Sequence, residues 1–264
     1  MYSFTNQDSF TKLNYYNRHA AYNLMPYKTI YQLIGEVNDS VKSYTIIPEG
    51  ITIPDSPNII VRVKYVEHIF DSIKVISKKQ GKKFIMSYWH EPDATMHDKG
   101  CNIDDVKIYM RVIDELTSKM HKELNDTLVI ISADHGHINI TEEIYLNDIP
   151  ELDECLIMPP SIEPRAASLF VKPGMETIFE ERFKKHFKDD FILIPKEKVL
   201  NSGILGKGKS HRKITDFVGN YLACGISGKL LRYKTLISAE QHSYKGHHAG
   251  LTKGEMMVPL IISE

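Results

Sequence analysis

Thr127-Leu-Val-Ile-Ile-Ser-Ala-Asp-His-Gly136 is the stretch on which the reading of this chain turns. A near-continuous apolar, β-branched run is what a strand buried on both faces of a parallel sheet looks like. Here it stops on Asp134, and a carboxylate straight after such a run is costly to bury unless a charge compensates it. A second run, Phe84-Ile-Met-Ser-Tyr-Trp89, passes in the same way into His90-Glu-Pro-Asp-Ala-Thr-Met-His97-Asp-Lys-Gly100. In an open parallel sheet ligands bind outside the carboxyl ends of the strands, so both polar clusters point to one edge.

Working outward, apolar runs at 43–47, 84–89, 127–133, 168–172, 191–194 and 258–263 alternate with helical patterns. The fold expected is α/β, a mostly parallel sheet flanked by helices. The clearest helix is 102–125, with Asn102 as N-cap and Val106, Met110, Ile113, Met120 and Leu124 repeating at helical spacing. Residues 26–36, 66–79 and 175–187 read as further helices. Four prolines in 150–165 mark an excursion loop. Residues 1–264 are expected to form a single domain in which 150–215 is a small cap or insertion.

The 264 residues are 42% hydrophobic and 25% charged, enough to bury a core and to exclude disorder and collagen. Thirty-three basic against 34 acidic side chains leave a net charge of -1, no footprint for a nucleic acid polymer or an anionic membrane. No apolar run approaches the roughly 20 residues that span a bilayer, and residues 1–13 are polar rather than signal-like. Cys101, Cys155 and Cys224 are odd in number and outside any C-x-x-C pattern. They are expected to be reduced, buried small hydrophobes in a cytoplasmic protein. Twelve histidines are many for this length and are unevenly spread, and function is sought there.

Asp93 and His97 are four apart, so one helical turn puts them on a common face, close enough to share a metal; Pro92 suits the start of that turn. Asp134 and His135 are adjacent and can share an ion only if the strand ends there, with Gly136 supplying the turn. A third cluster holds His242 and Lys245-Gly-His-His-Ala-Gly-Leu-Thr-Lys-Gly-Glu255, just ahead of a strand. Two Asp-His pairs and a third histidine are the ligand set of a divalent ion such as zinc or manganese. His90, His121, His137, His186, His211 and His242 read as solvated or structural, His137 with the alternative of orienting a ligand carboxylate.

Tyr88-Trp-His-Glu-Pro-Asp93 with His97, then Ser132-Ala-Asp-His-Gly136, then Gly246-His-His-Ala-Gly-Leu-Thr-Lys-Gly-Glu-Met-Met-Val-Pro-Leu260 resemble, in this order, motifs of the alkaline phosphatase superfamily. The nearest resemblance is to its type I phosphodiesterase and nucleotide pyrophosphatase branch. Glu163-Pro-Arg-Ala-Ala167 and Asp216-Phe-Val-Gly-Asn220 look like later segments of that family. The resemblance runs from about residue 25 to the end. It implies an alkaline phosphatase-like fold and a hydrolase of phosphate esters or phosphodiesters with two divalent ions, usually zinc. By resemblance Asp93, His97 and His248 hold one ion, and Asp134 and His135 help to hold the other. His248 is preferred to His247 because the family's ligand precedes a small residue and glycine. The resemblance also implies in-line attack on phosphorus by a Thr or Ser hydroxyl, with the ions about 4 Å apart.

That nucleophile and a further metal-binding aspartate are expected upstream of a segment resembling Met25-Pro-Tyr-Lys-Thr-Ile-Tyr-Gln-Leu33. About two dozen residues precede it, with no apolar strand, and Asp8, Ser9 and Thr11 in a polar stretch there are poor substitutes. The chain is therefore read as the C-terminal two thirds of a phosphohydrolase, its catalytic nucleophile unknown and its turnover impaired. It is expected to self-associate or to pair with a partner carrying the missing part, and to act on a small phosphate-containing substrate.

Two rival readings remain. Residues 203–210, Gly-Ile-Leu-Gly-Lys-Gly-Lys-Ser, match the phosphate-cradling P-loop, but that motif requires a strand directly before and a helix directly after; the nearest strand pattern stops at Pro195 and His211-Arg-Lys-Ile-Thr-Asp216 opens a helix poorly, so a lysine-rich surface loop is the preferred reading. The other is a non-catalytic, metal-binding half of a split enzyme. Arg165 fits a substrate or cap contact, or equally an ion pair with a glutamate.

Overall fold

The computed structural model describes residues 27–51, 53, 56–211, 213–234 and 243–264; Asp8, Ser9, Thr11 and His242 lie outside the described residues. The chain is α/β and divides into two compact units. The first takes the described parts of Met1–His90 with Val112–Thr127 and Glu264, and the second takes Glu91–Arg111 with Leu128–Ser263.

In the first unit, α1 (Ile30–Val37) is opened by a capping box: Gln32 N–H donates to the Thr29 hydroxyl at 3.3 Å, and Thr29 N–H to the Gln32 side chain at 2.7 Å. Strands β1 (Lys42–Pro48), β2 (Ile59–Val63) and β3 (Lys83–Ser87) form a parallel sheet in the order β2-β1-β3, Tyr44 standing opposite Ile59 and Ile85. The central strand β1 is buried from Ser43 onward, which is why its apolar run does not alternate. Helix α2 (Val66–Ser77) covers the sheet with Val66, Ile69, Phe70 and Ile76, a stripe of helical period.

The second unit begins with α3 (Asp93–Lys99). Helix α4 (Asp104–Glu123) then runs from the second unit into the first. It starts two residues after the expected Asn102 boundary, with Asp104 and Asp105 complementing the N-terminal dipole. Short strands β4 (Val129–Ser132), β5 (Ile138–Asn139) and β6 (Glu142–Tyr145) follow, then a one-turn α5 (Pro150–Asp153). The 150–165 excursion also contains β7 (Ser161–Glu163), which folds back on β8 (Ala166–Leu169). Next come α6 (Glu176–Phe187), β9 (Phe191–Pro195), α7 (Lys196–Asn201), α8 (Ile214–Phe217), β10 (Tyr221–Gly225) and β11 (Lys229–Arg232). The chain closes with β12 (Gly246–His247), α9 (Lys253–Met256) and β13 (Leu260–Ser263).

Among the described residues the largest sheet, β7-β8-β10-β9, is antiparallel, and parallel pairing is confined to β2-β1-β3 and to β6 with β11. Alternation of apolar runs had placed 168–172 and 191–194 in the parallel sheet. The two-residue link Pro164-Arg165 instead leaves β7 and β8 no room for a crossover, so they pair as a hairpin. Against this sheet α6 lays Phe179, Phe183 and Phe187, which pack with Phe191, Leu169, Tyr221 and Ala223 into the main core.

Two further expectations are corrected, and the rejection of the P-loop is borne out. Strand β4 is not buried on both faces: it pairs antiparallel with β13, and Ile130 and Ile262 of that two-stranded ribbon are 61% and 60% exposed. The 203–210 loop has the wrong neighbours for a P-loop, because helix α7 rather than a strand leads into it and only the four-residue α8 follows. Cys101 is half-buried rather than buried, although Cys155 and Cys224 are buried as expected. Burial pushes the thiols of Cys101 and Cys224 up to about 11, leaving them protonated and unreactive at neutral pH. Among the described residues no helix is long and apolar enough to cross a membrane.

Because Phe183 is 1% exposed in the centre of the aromatic stripe, Phe183→Ala is expected to lower unfolding free energy by about 3–5 kcal/mol. Ile178→Ala, on the open side of α6, should change it by about 0.5 kcal/mol or less. Urea melts of both variants check this.

Candidate metal centre

Asp93 opens α3 behind Pro92, and His97 follows one turn later. The chain from His97 is stitched to β12: Lys245 N–H donates to the His97 carbonyl at 2.8 Å, and the ring Nδ1 of His97 lies 3.0 Å from the Gly246 carbonyl. A carbonyl can only accept, so Nδ1 carries the proton and Nε2 keeps its lone pair. A side chain at Gly246 would collide with the Met96 carbonyl at 2.6 Å, so glycine is what lets the two segments approach.

The Asp-His-Gly turn after β4 is positioned differently from the expectation. Gly136 shows no left-handed backbone, and its need for glycine is spatial: a Cβ there would sit 2.0 Å from the Gly254 carbonyl. Gly136 N–H donates to the Glu255 carbonyl at 2.7 Å, docking the turn on α9. The ring Nδ1 of His135 donates to the Gly136 carbonyl at 2.9 Å, again leaving Nε2 as the free acceptor.

His248 sits in the turn after β12, followed by Ala249 in the left-handed region at φ 82° and by Gly250. A Cβ at Gly250 would meet Arg165 and Glu255 within 2.7 Å. Those two side chains, 0% and 3% exposed, form a buried ion pair with contacts at 2.5 and 2.7 Å. Glu255 also accepts from Gly250 N–H, Thr252 N–H and the Thr252 hydroxyl, and Arg165 donates to the Lys229 carbonyl. This network holds the His248 turn, so Arg165 is a structural partner of a glutamate rather than a substrate contact. Burial alone would push the Glu255 carboxyl up, but Arg165, Thr252 and Gly250 outweigh it and hold it below its ordinary 4.5.

These segments bring two groups of ligand-type atoms together, each within 4.8 Å of one another: Asp93, His97 and His248, and Asp93, His135 and His137. Asp93 Oδ1 is common to both. It lies 3.6 Å from His97 Nε2, 4.0 Å from His248 Nε2, 3.9 Å from His135 Nε2 and 3.3 Å from His137 Nδ1. The His135 and His248 rings stack with centroids 3.6 Å apart. Asp134 is exposed and touches only His135 in this cluster, its Oδ1 accepting from the His135 N–H at 3.1 Å and lying 3.7 Å from Nε2; it joins neither group. His247 joins neither group, its Nδ1 accepting from His248 N–H at 2.9 Å. His137, read from the sequence as solvated or structural, or as orienting a ligand carboxylate, stands in the second group. Its spacing of two from His135 outside a helix, which puts both side chains on one side of an extended chain, was the available signal.

The electrostatics suit a cation. Burial raises the Asp93 carboxyl, yet His137, His97 and His248 bring it below its ordinary value, so it is ionised. Burial, with neighbouring imidazoles, pushes His247 and His248 down to about 4 and lowers His97, so these rings are neutral, the form that ligates metals. Asp93 Oδ1 and both ring nitrogens of His137 are buried with no hydrogen-bond partner among the described residues. Such orphaned polar atoms mark the place of an ion or ordered water, and the oxygen and imidazole donors fit a borderline divalent ion.

The chain belongs to the type I phosphodiesterase / nucleotide pyrophosphatase family, which it matches over residues 10–205. A search of curated protein sequences found no match. Among solved structures it is similar to murine ectonucleotide pyrophosphatase / phosphodiesterase 5, with 18% identity and a TM-score of 0.59 over 87% of this chain and 62% of that one. The same murine protein, inactive and in complex with AMP, gives 19% identity and a TM-score of 0.57, again over 87% and 62%. Phosphonoacetate hydrolase from Sinorhizobium meliloti 1021, in complex with phosphonoformate, shows 14% identity and a TM-score of 0.59 over 89% of this chain and 67% of that one. At these identities the likeness is one of fold, which is alkaline phosphatase-like. The chain spans less than two thirds of the length of the murine protein.

Arg165→Met leaves Glu255 buried and unpaired, and is expected to cost about 3–5 kcal/mol in a urea melt. The folded pKa of Glu255 is lowered, so its stabilisation is present above the unfolded value of 4.5 and is lost as pH falls through the folded value. Glu255→Gln should therefore show a shallower loss of stability below that pH than the parent chain.

Proposed function

We propose that the chain is a metal-dependent hydrolase of phosphate esters or phosphodiesters whose principal cation, zinc before manganese, is held by Asp93, His97 and His248. The observation that carries this is the buried, unpartnered Oδ1 of Asp93 facing imidazole Nε2 atoms of α3 and of the β12 turn at 3.6 and 4.0 Å. A divalent ion there supplies positive charge to the phosphoryl oxygens and lowers the pKa of an attacking hydroxyl. The chain's own residues do the rest. The Gly246 carbonyl fixes the tautomer of His97, Arg165 with Glu255 holds the His248 turn, and α3 carries Asp93 to the ligands.

Substrates of this class carry a phosphoryl or phosphonyl group, which is the chemistry shared by the names of the family and of the similar structures. These residues supply ligands and no nucleophile. The resemblance puts the attacking Thr or Ser ahead of a segment like residues 25–33, where Asp8, Ser9 and Thr11 are poor substitutes for it. Weak turnover by this chain alone is part of the proposal. The free, buried thiols of Cys155 and Cys224 support a reducing, cytoplasmic setting.

The test is metal analysis of the purified chain together with hydrolysis of a p-nitrophenyl phosphodiester. Bound zinc or manganese is expected, with slow or no release of nitrophenolate. His248→Ala should weaken metal affinity by more than the about 10–100-fold that loss of a supporting partner costs. Fast metal-dependent turnover would contradict the impairment, and a chain that takes up no divalent ion would contradict the site.

A further inference from the structure

We infer that the loop 203–210, with the lysines of α7 that lead into it, is a docking surface for an anionic lipid bilayer, its tip Ile204-Leu205 entering the headgroup layer. The surface is separate from the metal centre, and the inference does not rest on the reading of that centre.

Three observations carry it. The loop stands clear of the fold: a Cβ added at Gly203, Gly206 or Gly208 would meet no atom within 4 Å, and these glycines bend the chain with φ of 75°, 100° and 123°. Between the first two, Ile204 and Leu205 are 41% and 54% exposed, two adjacent aliphatic side chains held out in water at a protruding tip. Around them the charge is one-sided. Residues 196–213 carry six Lys or Arg against one Glu, in a chain whose net charge is -1, so the overall balance conceals a local basic patch. Lys207 and Lys209 flank the tip and are exposed, while α7 is anchored below it by Val199, 1% exposed and packed with Val218 and Leu222.

The chemistry of the patch selects its partner. An aliphatic tip among cations is what an interfacial segment presents, the apolar part sinking to the acyl boundary while the charged ends stay among the lipid phosphates. Lysine is a compact point charge that answers to an anionic surface as a whole, without the bidentate fork by which arginine reads single phosphates. Each such charge near an anionic leaflet strengthens attachment about fivefold. A nucleic acid would need a different tip, because bases stack on aromatic rings, and residues 202–210 contain none. Apolar and basic contributions, each weak alone, together give reversible attachment.

The experiment is cosedimentation of the full chain with sucrose-loaded vesicles of phosphatidylcholine, alone or mixed with phosphatidylglycerol. The chain should pellet with the mixed vesicles only, and added salt should release it. Lys207→Gln combined with Lys209→Gln should weaken partitioning about 25-fold, at about fivefold per charge. Ile204→Ser combined with Leu205→Ser should weaken it about tenfold or more although every charge remains. A wild-type chain that stays in the supernatant overturns the inference, as does either double variant that partitions like wild type. Tighter binding to a single-stranded oligonucleotide than to the mixed vesicles, lost in the lysine variant, overturns it in favour of a nucleic acid. Should a double variant not fold by circular dichroism, the indole emission added by Leu205→Trp decides, with wild type and its single Trp89 as the blank. Mixed vesicles must move that emission to shorter wavelength, and an unmoved emission refutes insertion of the tip.

Discussion

The arrangement around Asp93 depends on keeping one carboxylate ionised inside a group of imidazoles. Burial works against the charged form, and only the nearby rings offset it, with His137 the nearest. Removing a carboxylate from water costs several kcal/mol even after relaxation, so the chain has to bring several far-separated segments to one oxygen. The turns at 133–137 and 245–250 serve that end. The two glycines at 136 and 246 allow backbone to approach backbone, and the left-handed Ala249 turns His248 back toward α3.

The supports beneath the site are of a different kind from the site itself. Arg165 and Glu255 are satisfied on nearly every polar atom, by each other, by backbone N–H groups and by carbonyls. The Asp93 cluster has orphaned atoms in its centre. A fully satisfied buried pair rigidifies, whereas an unsatisfied one is held for something else. The lowered pKa values of His97 and His248 fit that division, since neutral rings leave lone pairs for a cation at neutral pH.

Much of this was legible in the chain, and for identifiable reasons. Asp93 with His97 could be read because a spacing of four has one meaning on a helical turn. The α6 core helix could be read because Phe179, Phe183 and Phe187 repeat on one face. What failed depended on tertiary context. Apolar residues 127–133 looked buried on both faces, but β4 has a single hydrogen-bonding strand neighbour among the described residues. The choice of His248 over His247 came from resemblance alone, because adjacent residues in a turn carry no local signal of direction. The place of His137 was signalled by its spacing from His135 alone, and the burial of Arg165 by nothing local: both are fixed by segments more than sixty positions away, at Gly246 and at Glu255.

The most direct test is the metal content of Asp93→Asn, which keeps the size of the side chain and removes the charge shared by both ligand groups. After dialysis against zinc the variant should fold, retain its secondary structure by circular dichroism and bind no ion at a concentration that saturates the parent chain. Retention of the parent's full metal content by Asp93→Asn would contradict the account.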